Sequence, residues 1–511
     1  MAEANVTLLI RVGGLQTTGR ATNGRTSVRQ RPRSRAVELA AVIGALLICV
    51  GEAGGNHPAP LPLRSFSEEA AASSGSISIG GYPIDIAYDP VNNFLYVTLQ
   101  ESSSFHYNMT VINATNSRVV AELPMPYGVS TLAVDTRYGY VYVGNCCNTV
   151  YAIDPLSEHV AWNVSVGCPD GCSPEAQTYD SANGQIFLTD LGNNNVSVVE
   201  GRNFVTTFRV GSGPNGATYD PANGKVFVAD EGAYALTVIN GSTDAVVGRI
   251  APVDPGPGVT YDSSNGDVYV CENNASGPNA SNFVTAVNGS SDTIIAAIPI
   301  ASSCGAAVYD PVNDYVYITD QMSPSGKYLS NVTVVDPRTN RIVLTQPVQL
   351  GPDGVAFDSA NHNIYVADTY GENISVLPQL FRVTFRETGL PEGTNWSVIM
   401  GGRDFSSSTS TISFPEMNGS CNFTIARTGS YTAIPASGEA MVVGKNQVLS
   451  VAFSNSTGPK GSAGFLGLPL WTGYSVLGGL AVLILIASVV VIRRRREHIG
   501  VSPPSRLERT L

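Results

Sequence analysis

Four carboxylates stand at one point of a recurring pattern: Asp190, Asp230, Asp320 and Asp368 each close a segment of the type Phe/Tyr-Leu/Val/Ile-Ala/Thr-Asp. Acids repeated in this way could converge as oxygen ligands for Ca2+, which takes about six to eight of them. The simpler role is local, each Asp capping a turn between strands. Acid–base and nucleophilic chemistry have little to work with. Between residues 75 and 380 the histidines are His106, His159 and His362, in different repeats of the pattern. No Gly-x-Ser-x-Gly elbow, His-Glu-x-x-His pair or phosphate-cradling Gly-rich loop occurs. No cofactor is expected, Ca2+ on the four carboxylates being the one alternative.

Cysteine offers the remaining chemistry. Cys146, Cys147, Cys168, Cys172, Cys271, Cys304 and Cys421 lie beyond the N-terminal apolar stretch that holds Cys49. Cys146/Cys147 and Cys271 each follow a strand of one repeat, while Cys168/Cys172 and Cys304 precede the first strand of the next. That placement predicts two staples between neighbouring repeats, Cys271–Cys304 and one pair drawn from Cys146/Cys147 and Cys168/Cys172. Zinc fits less well, because Cys146 and Cys147 are adjacent and Cys168-x3-Cys172 has no nearby His.

The elements that must position these residues come from a block Tyr-Asp-Pro-x-Asn-x-x-(Val/Ile/Leu)-Tyr-Val. It recurs seven times, with its Asp at Asp89, Asp135, Asp180, Asp220, Asp262, Asp310 and Asp358, a period of 40 to 48 residues. Such a period holds four short strands, so the chain is expected to be all-β, with a seven-bladed β-propeller over residues 75–380. In the fourth repeat the strands are expected at 216–220, 225–229, 236–240 and 245–250, with Pro and Asn-Gly making the first turn. The repeated Asp is read as structural. Repeat seven stops after three strands, near Leu377, and Ser76–Ile79 is the candidate for its missing outer strand. Pairing the two would remove two open sheet edges.

These blocks stand as Leu95-Tyr-Val-Thr98, Tyr142-Val-Gly144, Phe227-Val-Ala-Asp230, Tyr317-Ile-Thr-Asp320 and Tyr365-Val-Ala-Asp368. They resemble the YVTN family of β-propellers, found in exported and surface-layer proteins of archaea and bacteria. The resemblance implies the fold over about residues 75–380. It implies no active site, since the family shares no catalytic set. Trp occurs only at Trp162, Trp396 and Trp471, so the Trp docking motif of quinoprotein-dehydrogenase propellers is missing. Residues 381–455 break the repeat, and their alternation suits a small immunoglobulin-like β-sandwich. The segment from Phe381 to Val398 resembles a module of surface proteins and thermopsin-like exported proteases of thermoacidophilic archaea. Protease chemistry does not come with it, because the module occurs apart from that domain.

Positive charge is kept to the two ends. Residues 1–36 hold seven Arg, and residues 54–465 hold 16 Lys+Arg against 36 Asp+Glu, a difference of −20. An acidic body argues against nucleic acid as a partner, since phosphate binding needs clustered Lys and Arg. Its four Lys also suit life at low pH. Residues 466–492 form 27 uncharged positions, enough for a membrane-spanning helix across about 30 Å of hydrocarbon. Arg493–Arg496 would stop transfer there, leaving the 493–511 tail cytoplasmic and the body outside. After the basic 1–36 n-region, residues 37–53 read as a signal-peptide h-region or N-terminal anchor. Residues 54–74 read as a linker and 456–465 as a stalk.

Sequons of the form Asn-x-Ser/Thr fall at Asn108, Asn113, Asn163, Asn195, Asn240, Asn274, Asn279, Asn288, Asn331, Asn373, Asn395, Asn418, Asn422 and Asn455. Their density suits a glycosylated outer surface. The expected function is that of a membrane-anchored surface propeller that binds a glycan or protein, or serves the envelope, without turning anything over. Recognition is expected on loops 99–108, 272–282 and 321–331, which share one place in the repeat and so one rim. The alternative is an extracellular enzyme of lactonase or lyase type using the central channel.

Overall fold

The computed structural model describes residues 75–100, 107–125, 128–145, 148–157, 159–166, 174–273, 282–323 and 326–455. The apolar stretches 37–53 and 466–492, His106, Asn274, Asn279, and the four cysteines Cys146, Cys147, Cys168 and Cys172 lie outside these residues. No helix among the described residues is long and apolar enough to cross a membrane. The chain divides into two all-β units at Gln379 and Leu380.

Seven four-stranded antiparallel sheets make up the first unit. Their first strands are Tyr82–Asp89, Val129–Asp135, Pro174–Asp180, Pro214–Asp220, Pro255–Tyr261, Ser303–Asp310 and Pro352–Phe357. Each packs against the first strand of the next sheet, and the seventh packs against the first. The sheets are therefore blades of a propeller-type ring whose axis is lined by first strands. Blade seven takes its outer strand from the start of the chain: Ser76–Ser78 pairs antiparallel with Asn373–Leu377, placing Ile77 opposite Ile374. Pairing stops one residue short of Ile79, yet Ile77 and Ile79 are both buried with Ile86, Leu95 and Tyr365.

A blade is covered on both faces by its neighbours, so its middle strands read as near-continuous apolar runs rather than alternating ones. Val226, Phe227, Val228 and Ala229 in succession are fully buried. The outer strands face solvent and carry a one-residue register shift at the same place in blades one to six. Val120, Val205, Val247 and Ile295 sit at that shift and are exposed. A bulge bends the free edge, which hinders pairing with a second chain.

The repeated Asp makes the same bond seven times. Its Oδ1 accepts from the amide two residues on, Val91, Arg137, Ala182, Ala222, Ser264, Val312 or Ala360, at 2.7 to 2.9 Å. Four residues past the Asp the chain turns left-handed, at Asn93, Gly139, Gly184, Gly224, Gly266, Asp314 and His362, with φ between 61° and 83°. The Asn of the block then holds the start of the second strand. Asn92, Asn313 and Asn361 donate to the hydroxyls of Tyr96, Tyr317 and Tyr365 at 2.8 to 3.0 Å.

Near the axis the first strands approach closely and only small residues fit. A Cβ added at Gly354 would lie 2.8 Å from the Asp85 Cα and 3.0 Å from the Ile84 carbonyl oxygen, both backbone atoms of blade one. Gly354→Ala should therefore push blades seven and one apart and destabilise the ring by about 1–3 kcal/mol, the usual cost of overpacking. Urea unfolding of the two proteins measures this. Gly224→Ala, with open space at its Cβ, separates crowding from the cost of a positive φ.

The second unit is formed by two four-stranded sheets around one core that includes Val383, Phe385, Trp396, Phe414, Phe423 and Phe453. Trp396 is buried but not starved of a partner, because its Nε1 donates to the Thr409 carbonyl at 2.8 Å. One pairing is parallel, Phe381–Thr388 with Gln447–Asn455. Arg403 and Glu416 form an ion pair between strands, and Cys421 is a half-buried free thiol.

Candidate functional site

Because blades one to six are simple meanders and blade seven departs only in taking its outer strand from residues 76–78, the connections alternate between two ends of the ring. One end, the turn face, carries the Asp turns and the third-to-outer turns. The other, the loop face, carries the second-to-third connections and the blade-to-blade crossings. The strands flanking the expected recognition loops end there, and their described residues pair across each loop. Leu99 pairs with Asn108 and Gln100 with Tyr107 in blade one. Glu272 pairs with Phe283 in blade five, and Met322 with Tyr328 in blade six.

A tyrosine group stands on the loop face where blades six, seven and one meet. The Tyr328 and Tyr370 rings lie 4.1 Å apart with their hydroxyls 2.7 Å from each other. Tyr82 lies 6.2 Å from Tyr370. The backbone amide of Tyr370 donates to the Leu350 carbonyl at 3.1 Å, and its ring rests where a Cβ on Gly351 would be 2.5 Å away. Burial, then Tyr328, Asp353 and Tyr82, push the Tyr370 phenol up, although 45% of the residue remains exposed.

Two carboxyls stand on the adjoining first strands, Asp353 interacting with Tyr370 and Asp85 bonded toward blade two. Burial, then the charges of Asp85 and Glu175, push Asp353 up to about 7. Burial pushes Asp85 up to about 6, against the amides of Leu132 and Ile86 that favour its charge. The Leu132 amide donates to Asp85 at 3.0 Å, so that carboxyl also ties blade one to blade two. Sequence reasoning missed both, because they fall where the repeat varies. For Asp353 the signal was available five residues before the repeated Asp, where Ile84, Ser130, Glu175, Asn215, Pro257, Gly305 and Asp353 stand in turn, and for Asp85 four residues before it, where Asp85, Thr131, Ala176, Gly216, Gly258, Ala306 and Gly354 stand.

The four carboxylates proposed for Ca2+ are not brought together. Asp230 accepts from Thr237 at 2.5 Å, Asp320 from Ser302 and Thr333, Asp368 from Ser375, and Asp190 from Asn193. Each bond stays within a blade or at its entrance, three of them reaching a third-strand hydroxyl rather than only capping a turn. Among the described residues no three His, Cys, Asp or Glu side chains are placed to hold a metal ion. His159 starts an outer strand and His362 sits in the blade-seven turn, so the two do not meet.

Cys271 of blade five and Cys304 of blade six are disulfide-bonded, with Cα atoms 6.0 Å apart. Both are buried. A bridge closing 33 residues contributes about 3–4 kcal/mol on the chain-entropy account. The double variant Cys271→Ala, Cys304→Ala is expected to lose about that much in urea unfolding, with secondary structure retained.

The sequons separate by place. Asn113, Asn240 and Asn288 end third strands on the turn face, where the Asn113 oxygen accepts from the Thr115 amide and those of Asn240 and Asn288 from the Ser242 and Ser290 hydroxyls. Asn108, Asn195, Asn331 and Asn373 lie in third strands and are half-buried. Asn163, Asn395, Asn418, Asn422 and Asn455 are exposed.

Several buried carboxyls share one direction of shift. Asp368 and Asp353 are raised to about 7, and Asp85, Asp230 and Asp310 to about 6, in each case first by burial. In the unfolded chain an Asp titrates near about 4. The folded state therefore binds more protons between those values, so its stability rises as pH falls from 7 toward 4 and is lost as pH climbs through the folded pKa. The melting temperature should be about 5 °C or more higher at pH 5 than at pH 8. Asp368→Asn should shrink the difference.

Comparison with known proteins supports the fold alone. A chain of Kuenenia stuttgartiensis hydrazine synthase superposes with a TM-score of 0.50 at 16% identity, covering 61% of this chain and 99% of that one. A chain from the crystal structure of the mitotic checkpoint complex gives 0.50 at 11% identity, covering 63% and 99%. Both are propeller-type folds. No protein-family model matches the chain. The search of curated proteins found no match either.

Proposed function

We propose that the protein is a YVTN-type surface propeller of archaeal kind, anchored through residues 466–492, that binds a glycan or protein on the loop face of its ring without catalysis. The observation that carries this reading is the grouping of Tyr82, Tyr328 and Tyr370 beside the extended hairpins of blades one and six. Aromatic side chains on a rigid scaffold supply contact area at small entropic cost. The acidic body, the sequons and the Arg-flanked apolar stretches support an outward-facing, glycosylated molecule. On this reading the second unit is an immunoglobulin-like spacer, and Ser456–Gly464 a stalk above the membrane.

A second reading, a lactonase- or lyase-type enzyme, draws on Asp85 and Asp353, whose raised pKa values suit proton transfer near neutrality. One experiment separates the two. The tips of the three hairpins, 101–106, 273–281 and 323–327, are replaced by the short blade-four turn Glu231–Tyr234. Binding on glycan and protein arrays is expected to fall at least about tenfold with the melting temperature nearly unchanged. Turnover of lactone or uronate substrates that vanishes in Asp353→Asn, with arrays silent, would instead establish the enzyme.

A further inference from the structure

The ring closes at blade seven, whose outer strand is the short segment Ser76–Ser78. On the other side of that blade, where it meets blade six, two phenols are in contact. The Tyr328 and Tyr370 rings lie 4.1 Å apart, tilted by 46°, with their hydroxyls 2.7 Å from each other. Each Cζ stands midway between its ring centre and its oxygen, so the two Cζ atoms are closer than the ring centres. The ortho carbons that flank them are the ring positions at which two phenoxyl radicals couple. Tyr370 lies in the one-turn helix Thr369–Gly371 of blade seven, and Tyr328 opens the third strand of blade six. Backbone bonds at or beside each tyrosine hold both rings in place. The Gly351 amide donates to the Leu329 carbonyl at 2.8 Å, the Thr369 amide to the Gly351 carbonyl at 2.9 Å, and the Tyr370 amide to the Leu350 carbonyl at 3.1 Å. Both side chains reach solvent, Tyr370 exposed and Tyr328 half-buried.

We propose that Tyr328 and Tyr370 form an oxidative cross-linking site, at which hydrogen peroxide and a haem peroxidase join blade six to blade seven by a carbon–carbon bond between the two phenol rings. The peroxidase takes one electron from each phenol, and each hydroxyl proton passes to water. The peroxide takes up both electrons and two protons and leaves as water. An ortho carbon of one ring then bonds to an ortho carbon of the other, and the hydrogen on each of those carbons moves to its own ring's oxygen, restoring both phenols. The protein loses two hydrogens in all. Rings already in contact couple within the chain faster than between chains, because the effective concentration of the partner far exceeds that of a second molecule. The link spans 42 residues and extends to the next joint what the Cys271–Cys304 bridge does between blades five and six. Tyr82, 6.2 Å from Tyr370, is the more distant neighbour and takes no part. The site stands whatever the loop face binds.

The test treats the full chain, dilute enough to prevent pairing between molecules, with hydrogen peroxide and a haem peroxidase. Tryptic digestion should then yield residues 328–338 joined to residues 342–382, two hydrogens lighter than the separate peptides and carrying the blue fluorescence of dityrosine. Tyr328→Phe and Tyr370→Phe, which keep the ring, should each remove the joined peptide, and Tyr82→Phe should leave it. A melting curve on each variant shows that the fold is kept. Because a cross-link restricts the unfolded chain, linked protein should melt about 5 °C above unlinked protein. Oxidation of the exposed Tyr138 or Tyr234 with no joined peptide would overturn the inference. So would a joined peptide that survives in Tyr328→Phe, or a link found only between chains. A link that leaves the melting temperature unmoved would refute its role as a staple between blades.

Discussion

The ring depends on bonds that each repeat makes to its neighbour rather than to itself. A four-stranded sheet with two apolar faces cannot stand in water alone, so coupling between blades decides whether any blade exists. On the turn face the second-strand hydroxyls of Tyr142, Tyr269 and Tyr365 donate to the carbonyls of Gly201, Pro337 and Ala114 in the following blade. The Tyr that precedes the repeated Asp reaches backwards. Tyr179, Tyr219 and Tyr261 interact with Asp135, Asp180 and Asp220 of the blade before, while Tyr88 and Tyr309 feel the charge of Asp358 and Asp262 there but donate their hydroxyls within their own blades, to Asn93 and Asp314. On the loop face Thr98 and Thr319 donate to Ser130 and Asp353 carbonyls one blade on, and the Cys271–Cys304 bridge does covalently what those hydroxyls do by hydrogen bonding.

This explains why so much of the architecture could be read before any coordinates. In Tyr-Asp-Pro-x-Asn-x-x-x-Tyr-Val-Thr nearly every fixed residue has a bond that only one geometry satisfies, and a ring requires that geometry in each sector. The exceptions have a structural consequence. Val134 and Phe357 stand where Tyr should, so Asp89 and Asp310 receive no phenol from the next blade. Near Asp310 stands His362, which favours its charged form against burial and takes the left-handed position that Gly fills in four blades and Asn93 and Asp314 in two. Periodicity marks such a position as a departure without saying what compensates for it.

The candidate site was less legible for the same reason. Glu175, Asn215 and Asp353 occupy a position that varies from blade to blade, and Asp85 one that small residues fill in the other blades, so pattern reading treats both as noise. Strand extension was hidden too. The hairpins of blades one and six run two residues or more beyond the core of their sheets, through polar residues such as Gln100, Gln321 and Asn331 whose composition resembles a loop. Cross-strand pairing sustained them there against propensity.

Burial and charge meet in the ring's dependence on acid. The turn Asp residues must be buried to hold their turns, and the second-strand Asp residues must be buried to reach third-strand hydroxyls. At Asp89, Asp262, Asp310, Asp320 and Asp368 burial is the largest influence and no Lys or Arg is among the groups that oppose it, while at Asp230 Arg249 opposes it only in part. A carboxyl buried without a counter-charge is held more cheaply as the neutral acid, so a ring built this way is relieved rather than strained as protons become available. An acidic body with four Lys is then consistent with its interior, because the same scarcity of bases makes low pH a stabilising condition for the fold.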